Sequence, residues 1–236
     1  MERLEDLFPE INFAKTIEGF NKQFQKDLKS GLSPVFLLAK SDSMGGELFL
    51  RKIKNLLAGK IRKSYPIKIR FQSQPSSVEI LHNLATYVNI KPTNEQNWQA
   101  YATNIIDNMF KPLRSNSDVI FIELKNCHYL ADDVLGWFVN EFWTLVASKL
   151  STIPRNYIRV ICVITADKKI KPSSEKVVEL PLCRWEKTEI QDWLERHSNL
   201  DISSDYAEIA QDIYDCSDDG LPKMVCEQLK QRFTQI

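Results

Sequence analysis

Five short apolar runs between residues 34 and 181, separated by amphipathic stretches, most restrict what this chain can fold into. They read "PVFLLA" (34–39), "PIKIRF" (66–71), "DVIFIEL" (118–124), "YIRVICVIT" (157–165) and "KVVELP" (176–181). Most are near-continuous and rich in β-branched residues, the pattern of strands covered on both faces, which parallel sheets require. The stretches between them carry helical spacing. "SSVEILHNLATYVNI" puts Val78, Leu81, Leu84, Ala85 and Val88 on one face with Ser76 or Ser77 as N-cap, and "NWQAYATNIIDNMF" does the same with Trp98, Tyr101, Ala102, Ile105 and Met109. This alternation predicts an α/β domain with a parallel five-stranded sheet flanked by helices. "ADDVLGWFVNEFWTLVASKL" is apolar on more than one side. Its Trp137, Phe138, Phe142 and Trp143 are expected in the core, with Trp137 and Trp143 as candidate anchors for a partner if one face is left open.

Beyond residue 181 no strand signal follows, and helices are broken at "HSNLD" and "CSDDGLP". The predicted division is therefore an α/β domain over 1–181 and a helical lid over 182–236, with no flexible linker between them. The 31 basic and 31 acidic side chains cancel, so no global field points to nucleic acid, membrane or acidic substrates. Five cysteines without CxxC or Cys/His spacing fit reduced thiols and no zinc site. No apolar run approaches the roughly 20 residues that span a bilayer, and no signal-peptide pattern is present. The expectation is a cytoplasmic protein with no membrane partner, no metal and no cofactor.

Between the first run and the next helix lies "KSDSMGGE", a polar turn in the strand-turn-helix setting that cradles phosphates. A phosphate loop reads G-x-x-x-x-G-K-[ST], its Lys reaching the terminal phosphates and its hydroxyl holding magnesium. In register, Lys40 stands for the first glycine, followed by Ser41, Asp42, Ser43 and Met44, then Gly45 for the second glycine, Gly46 for the Lys and Glu47 for the hydroxyl. The loop's frame persists without the two residues that do its chemistry, and a carboxylate at 47 would repel phosphates.

The strand that should end in a magnesium-binding acid is "VIFIELKNCH". Glu123 holds the first acidic position, as a metal-facing acid or a solvated strand-end carboxylate; Asn126 and Cys127 stand where a second acidic pair would polarise water. A Cys127–His128 nucleophilic pair is disfavoured because neighbouring side chains near a strand end point apart. Asp132 and Asp133 are expected to cap the following helix rather than hold a metal.

These segments together resemble inactive STAND domains, degenerate relatives of the NACHT and NB-ARC P-loop NTPases. "INFAKTIEGFNKQFQKDLKSGLSPVFLLA" resembles the introductory helix and loop strand, "SDSMGGELFLRKI" the decayed loop, and "DVIFIELKNCHYL" the decayed acid strand. "NEFWTLVASKL" and "IRVICVITAD" are similar to the next helix and strand, "VVELPLCRWEKTEIQDWLERH" to the strand before the lid, and "DDGLPKMVCEQL" to a lid whose turn carries Gly220 and Pro222. The resemblance implies a loop strand near the sheet centre, a helical lid, no hydrolysis, and use as a scaffold or adaptor for a protein partner or effector in bacterial, often cyanobacterial, defence-like systems. It also implies a sensor after the fourth strand, for which Thr165 or Lys168 could serve. Two alternatives stay open: a nucleotide-binding switch that does not hydrolyse, and an inactive AAA-like subunit of a nucleic-acid-associated assembly.

Charge is uneven locally. Residues 51–70 hold eight basic side chains, among them Arg51, Lys52 and Lys54, and no acid, while 201–220 hold seven acids and no base. The runs are candidate contact surfaces for a partner or a second copy. Nucleic acid ranks low on sequence, because only Tyr65 and Phe71 lie near the basic run.

Overall fold

A computed structural model describes residues 8, 11, 13–30, 34–39, 42–70, 76–92, 97–111, 113, 118–153, 158–167, 170, 174–197 and 205–233. The elements are α1 (Ala14–Ser30), β1 (Val35–Ala39), α2 (Gly46–Leu56), β2 (Ile61–Lys68), α3 (Ser77–Tyr87), α4 (Trp98–Phe110), β3 (Asp118–Lys125), α5 (Asp132–Trp137), α6 (Trp143–Ser151), β4 (Ile158–Ala166), β5 (Val177–Glu179), α7 (Lys187–Arg196), α8 (Tyr206–Cys216) and α9 (Pro222–Phe233). The chain divides into two compact units, one of residues 20–39 and 57–180, the other of 1–19, 40–56 and 181–236. The division expected from the sequence, 1–181 and 182–236, follows the chain, whereas this one follows contacts and joins residues 1–19 and 40–56 to 181–236.

The first unit is the sheet. Its five strands run parallel in the order β2-β3-β4-β1-β5, with the loop strand β1 between β4 and β5. β3 and β4 pair from Asp118↔Ile158 to Leu124↔Ile164, and every described residue of β3 before Lys125 is buried, as its continuous apolar run requires. One sheet face buries Ile120, Ile122, Leu124, Cys162 and Ile164 against helices α3 to α6. Ser76 is the N-cap of α3, its Oγ accepting from Glu79 N at 3.4 Å. The buried stripe of α3 is Ile80, Leu81, Leu84 and Ala85, while Val78, expected on it, is exposed because it lies in the first turn at the margin of the stripe.

Two further differences have physical reasons. β2 starts at Ile61 rather than residue 66, because Arg62, Lys63 and Ser64 are polar and exposed at a sheet edge and carry no apolar run. It ends at Lys68 rather than at residue 71, which lies outside the described residues. α5 and α6 are joined by a π-helical turn, Phe138–Phe142, so the long amphipathic stretch is one continuous helix that buries Leu135, Phe138, Val139, Phe142, Trp143 and Val146. Asp132 and Asp133 occupy the first turn, where their charge suits the positive helix end, while Ala131 is the N-cap and makes no side-chain cap bond.

In the second unit Phe13 stacks edge-on against Phe49 (centroids 5.2 Å) and Trp185 (5.4 Å), and Phe8 tilts against Trp193. Thr16 Oγ1 donates to Pro181 O at 2.6 Å, which ties the first turn of α1 to the segment leaving the last strand.

Candidate functional site

Lys40 and Ser41 lie outside the described residues. Asp42–Met44 form a single 3-10 turn, and Gly45 follows at φ +70, a left-handed backbone that glycine adopts without strain. Gly46 opens α2, and Phe49 N donates to Gly45 O at 3.0 Å, closing the first helical turn. Gly45 and Gly46 are buried, whereas Glu47 is exposed in that first turn. A carboxylate there already supplies the negative charge that the helix end attracts.

The C-terminal helices complete this unit. α9 packs on the Asp42–Met44 turn, and a Cβ added to Gly45 would stand 3.0 Å from Pro222 Cβ. Pro222 is buried at the first position of α9, where its missing N–H would have had no helical partner. Before it, Asp218, Asp219 and Gly220 all have positive φ. Gly220 O accepts from Trp185 N at 2.9 Å, and a Cβ on Gly220 would lie 2.0 Å from Trp185 O. The turn thus brings Gly220 and Pro222 to two different packing contacts, one with Trp185 and one with Gly45.

Between α2 and α9 lies a pocket of about 310 Å³ lined by Phe8, Gly45, Leu48 and Cys226, with Glu47, Arg51, Lys223, Glu227 and Lys230 around it. Lys230 Nζ stands 5.8 Å from the centre of the Phe8 ring. Burial pushes the Cys226 thiol up to about 12, partly offset by the charges of Lys230 and Arg51.

In the sheet unit the end of β3 is a tied corner. Glu123 is fully buried, not a solvated edge residue, and its Oε1 pairs with Lys125 Nζ at 2.9 Å, two residues on along the same face of the strand. Asn126 is left-handed (φ 62), a conformation Asn tolerates, and its Nδ2 donates to Ile69 O at 3.3 Å. Cys127 is buried, its Sγ donating to Leu124 O at 3.2 Å, and desolvation pushes its thiol well above the ordinary range. Thr165, a sensor candidate, is buried with its hydroxyl 3.5 Å from the same carbonyl; Lys168 lies outside the described residues. Asp167 N donates to His128 Nδ1 at 3.3 Å. Asn126 and His128 therefore hold backbone just beyond the neighbouring strands β2 and β4, and Cys127 holds backbone of its own strand β3. Among the described residues no group of three or more His, Cys, Asp or Glu is placed to hold a metal.

Trp143 is 3 % exposed and packed in the core, so it is no surface anchor, and Trp137 is half-buried against Trp98 at 5.4 Å. The long helix packs on α4, and its buried residues belong to the same hydrophobic core as those of the sheet. Arg51, Lys52 and Lys54 sit on α2, whereas Lys60, Arg62, Lys63, Lys68 and Arg70 lie on or beside β2, so the basic run is parted between the two units. Acids of the 201–220 run are also engaged: Asp212 pairs with Arg232, and Asp218 with Arg184 at 2.9 Å.

A family model described as inactive STAND matches residues 8–165. The chain belongs to the inactive STAND family. No curated protein matches the chain. Among solved structures, Cdc6p from Pyrobaculum aerophilum aligns at TM-score 0.52 and 17 % identity, covering 92 % of this chain and 62 % of that one. A Walker-type ATPase of Pyrococcus abyssi aligns at TM-score 0.53 and 12 % identity, covering 98 % and 69 %. At these identities the likeness shows a shared P-loop ATPase fold. This inactive STAND chain spans less than two thirds of the length of the Cdc6p chain. Among the described residues no helix is long and apolar enough to cross a membrane.

Proposed function

We propose that this inactive STAND domain is catalytically inactive and works as a scaffold or adaptor for a protein partner in a bacterial defence or signalling system. The observation that carries the reading is the use made of the loop. The turn that cradles phosphate in active relatives here seats α9, with Pro222 against Gly45, and the helix end behind it carries its own carboxylate, Glu47. The tied corner at Glu123, Asn126 and Cys127 agrees, since each of these groups serves the backbone or an internal ion pair. Loss of the loop Lys, the hydroxyl and the water-polarising acids removes several kcal/mol of transition-state stabilisation each.

The test is phosphate release from ATP and GTP with magnesium, alongside thermal melts. No release above the buffer blank is expected, and no rise in melting temperature, although a ligand at 100 times its Kd would add about 2.7 kcal/mol. A second reading, a nucleotide switch that binds without hydrolysis, has one observation in its favour: the α2–α9 pocket carries Arg51, Lys223 and Lys230 beside Gly45. A nucleotide-dependent rise in melting temperature that Lys223→Glu removes, with no phosphate release, would decide for the switch. Release that Lys223→Glu or a Gly45 substitution abolishes would defeat both.

A further inference from the structure

β2 is one edge of the sheet, and Lys60, Arg62, Lys63, Lys68 and Arg70, on or beside it, are all exposed. The acids of β3 beside this edge are engaged: Asp118 Oδ1 stands 3.7 Å from Arg62 Nε, and Glu123 pairs with Lys125. The side chains of Lys60, Lys63 and Lys68 have no ion-pair or hydrogen-bond partner in the described structure. From Lys63 to Lys68 the strand advances about 16 Å at the usual rise per residue.

This edge is closed to another strand. Ile69 N donates to Lys125 O, so alternation along β2 turns the peptide groups of residues 64, 66 and 68 away from β3. Pro66 has no N–H to offer there, and its carbonyl accepts Tyr87 Oη at 2.7 Å. An acidic peptide captured at a sheet edge draws its affinity from main-chain pairing, which the middle of this edge refuses. What remains on offer is side-chain charge and one ring. Tyr87, on α3, is 47 % exposed, and its ring is fixed by the bond to Pro66 and by edge-on packing on Tyr65 at 6.0 Å. The ring is thus fixed at Tyr65 and Pro66, between Lys63 and Lys68 along the strand. An aromatic ring combined with unpaired cations is the pairing of groups that binds single strands, bases stacking while lysines follow the phosphates.

We propose that the β2 edge binds single-stranded nucleic acid, with Lys60, Lys63 and Lys68 neutralising phosphates and the Tyr87 ring stacking on a base. The proposal is independent of the scaffold reading, since oligonucleotide capture and nucleotide hydrolysis are measured separately. The probe is a fluorescent oligothymidylate of about 15 nucleotides, long enough to span the strand, followed by anisotropy. Three neutralised phosphates give a log–log salt slope of about −2, an affinity loss of about 20-fold between about 50 and 200 mM salt. The double variant Lys63→Glu/Lys68→Glu is expected to abolish binding, with Lys63→Ala/Lys68→Ala as the milder control and circular dichroism reporting the fold. Tyr87→Ala is expected to weaken binding about tenfold, the scale of one lost stacking contact, while Tyr87→Phe, which loses the bond to Pro66 but keeps the ring and its packing on Tyr65, weakens it less. A duplex of the same length is expected to bind more weakly. Absent binding, binding indifferent to the lysine reversal or to Tyr87→Ala, or a duplex or polyglutamate chain of equal charge bound as tightly would each overturn the proposal.

Discussion

Gly220 shows how much one hydrogen atom in place of a side chain decides. At φ +79, with Trp185 O at 2.0 Å from any added Cβ, Gly220→Ala must both strain the backbone and push apart the turn that Trp185 N bonds to. A loss of at least about 2 kcal/mol is expected in denaturant titration, combining left-handed strain with the lost hydrogen bond. Gly59 has nearly the same φ, +76, but nothing within 4 Å, so Gly59→Ala should cost about 1 kcal/mol from strain alone. Equal losses at the two sites would remove the packing role assigned to the turn. The cysteines separate in the same residue-level way. Cys127, Cys162 and Cys226 are buried and their thiols are raised by desolvation, whereas Cys183 and Cys216 are exposed. Since the thiolate is the reactive form, a maleimide at mildly alkaline pH should label two of the five in the native state and all five after unfolding.

At the scale of elements, the long helix running from α5 into α6 was open to two outcomes in the sequence, core or anchor. The structure chose core. Trp143→Ala should therefore destabilise by about 3–5 kcal/mol, the range for a large buried aromatic; a variant that melts like the native chain but loses a partner would restore the anchor. α8 and α9 are joined by Arg232 and Asp212, whose hydrogen bond and charge hold the Asp212 carboxyl below its ordinary range. A depressed carboxylate stabilises the fold above the unfolded value of about 3.9 and loses that contribution as pH falls through the folded value. Asp212→Asn should consequently make the acid limb of the stability profile slightly shallower, and no change in that limb would mean the pair is not formed in solution. β2 escaped full recognition for a reason at this scale too. An edge strand needs few apolar residues, so its first half carries no hydrophobic signal.

For the whole molecule, assembly through charged surfaces is a proposal that salt can test. Arg51, Lys52 and Lys54 lie on α2 in one unit, and Glu208, Asp215 and Asp219 lie in the same unit on or just after α8. If these surfaces join copies or recruit a partner, light scattering should show mass falling as salt rises, because screening acts beyond about 10 Å at 0.1 M. The variant with Arg51, Lys52 and Lys54 reversed to Glu should show no such assembly at low salt. A monomer under all conditions, with effector capture untouched by the reversal, would end that proposal.

The sequence by itself determined the sheet architecture: five apolar runs, helical faces between them, and a strand-turn-helix without the phosphate loop's Lys and hydroxyl. These signals are periodic and local, so neighbours along the chain suffice to generate them. Only the tertiary structure decided how the site residues are used. Glu123 could have faced solvent at its strand end, but pairing on both sides of β3 buried it with Lys125. Tyr87 reaches Pro66 across 21 residues, and Pro222 meets Gly45 from the far end of the chain. Contacts of that kind depend on which surfaces the packed elements bring face to face, and no periodicity in a single segment records its partner.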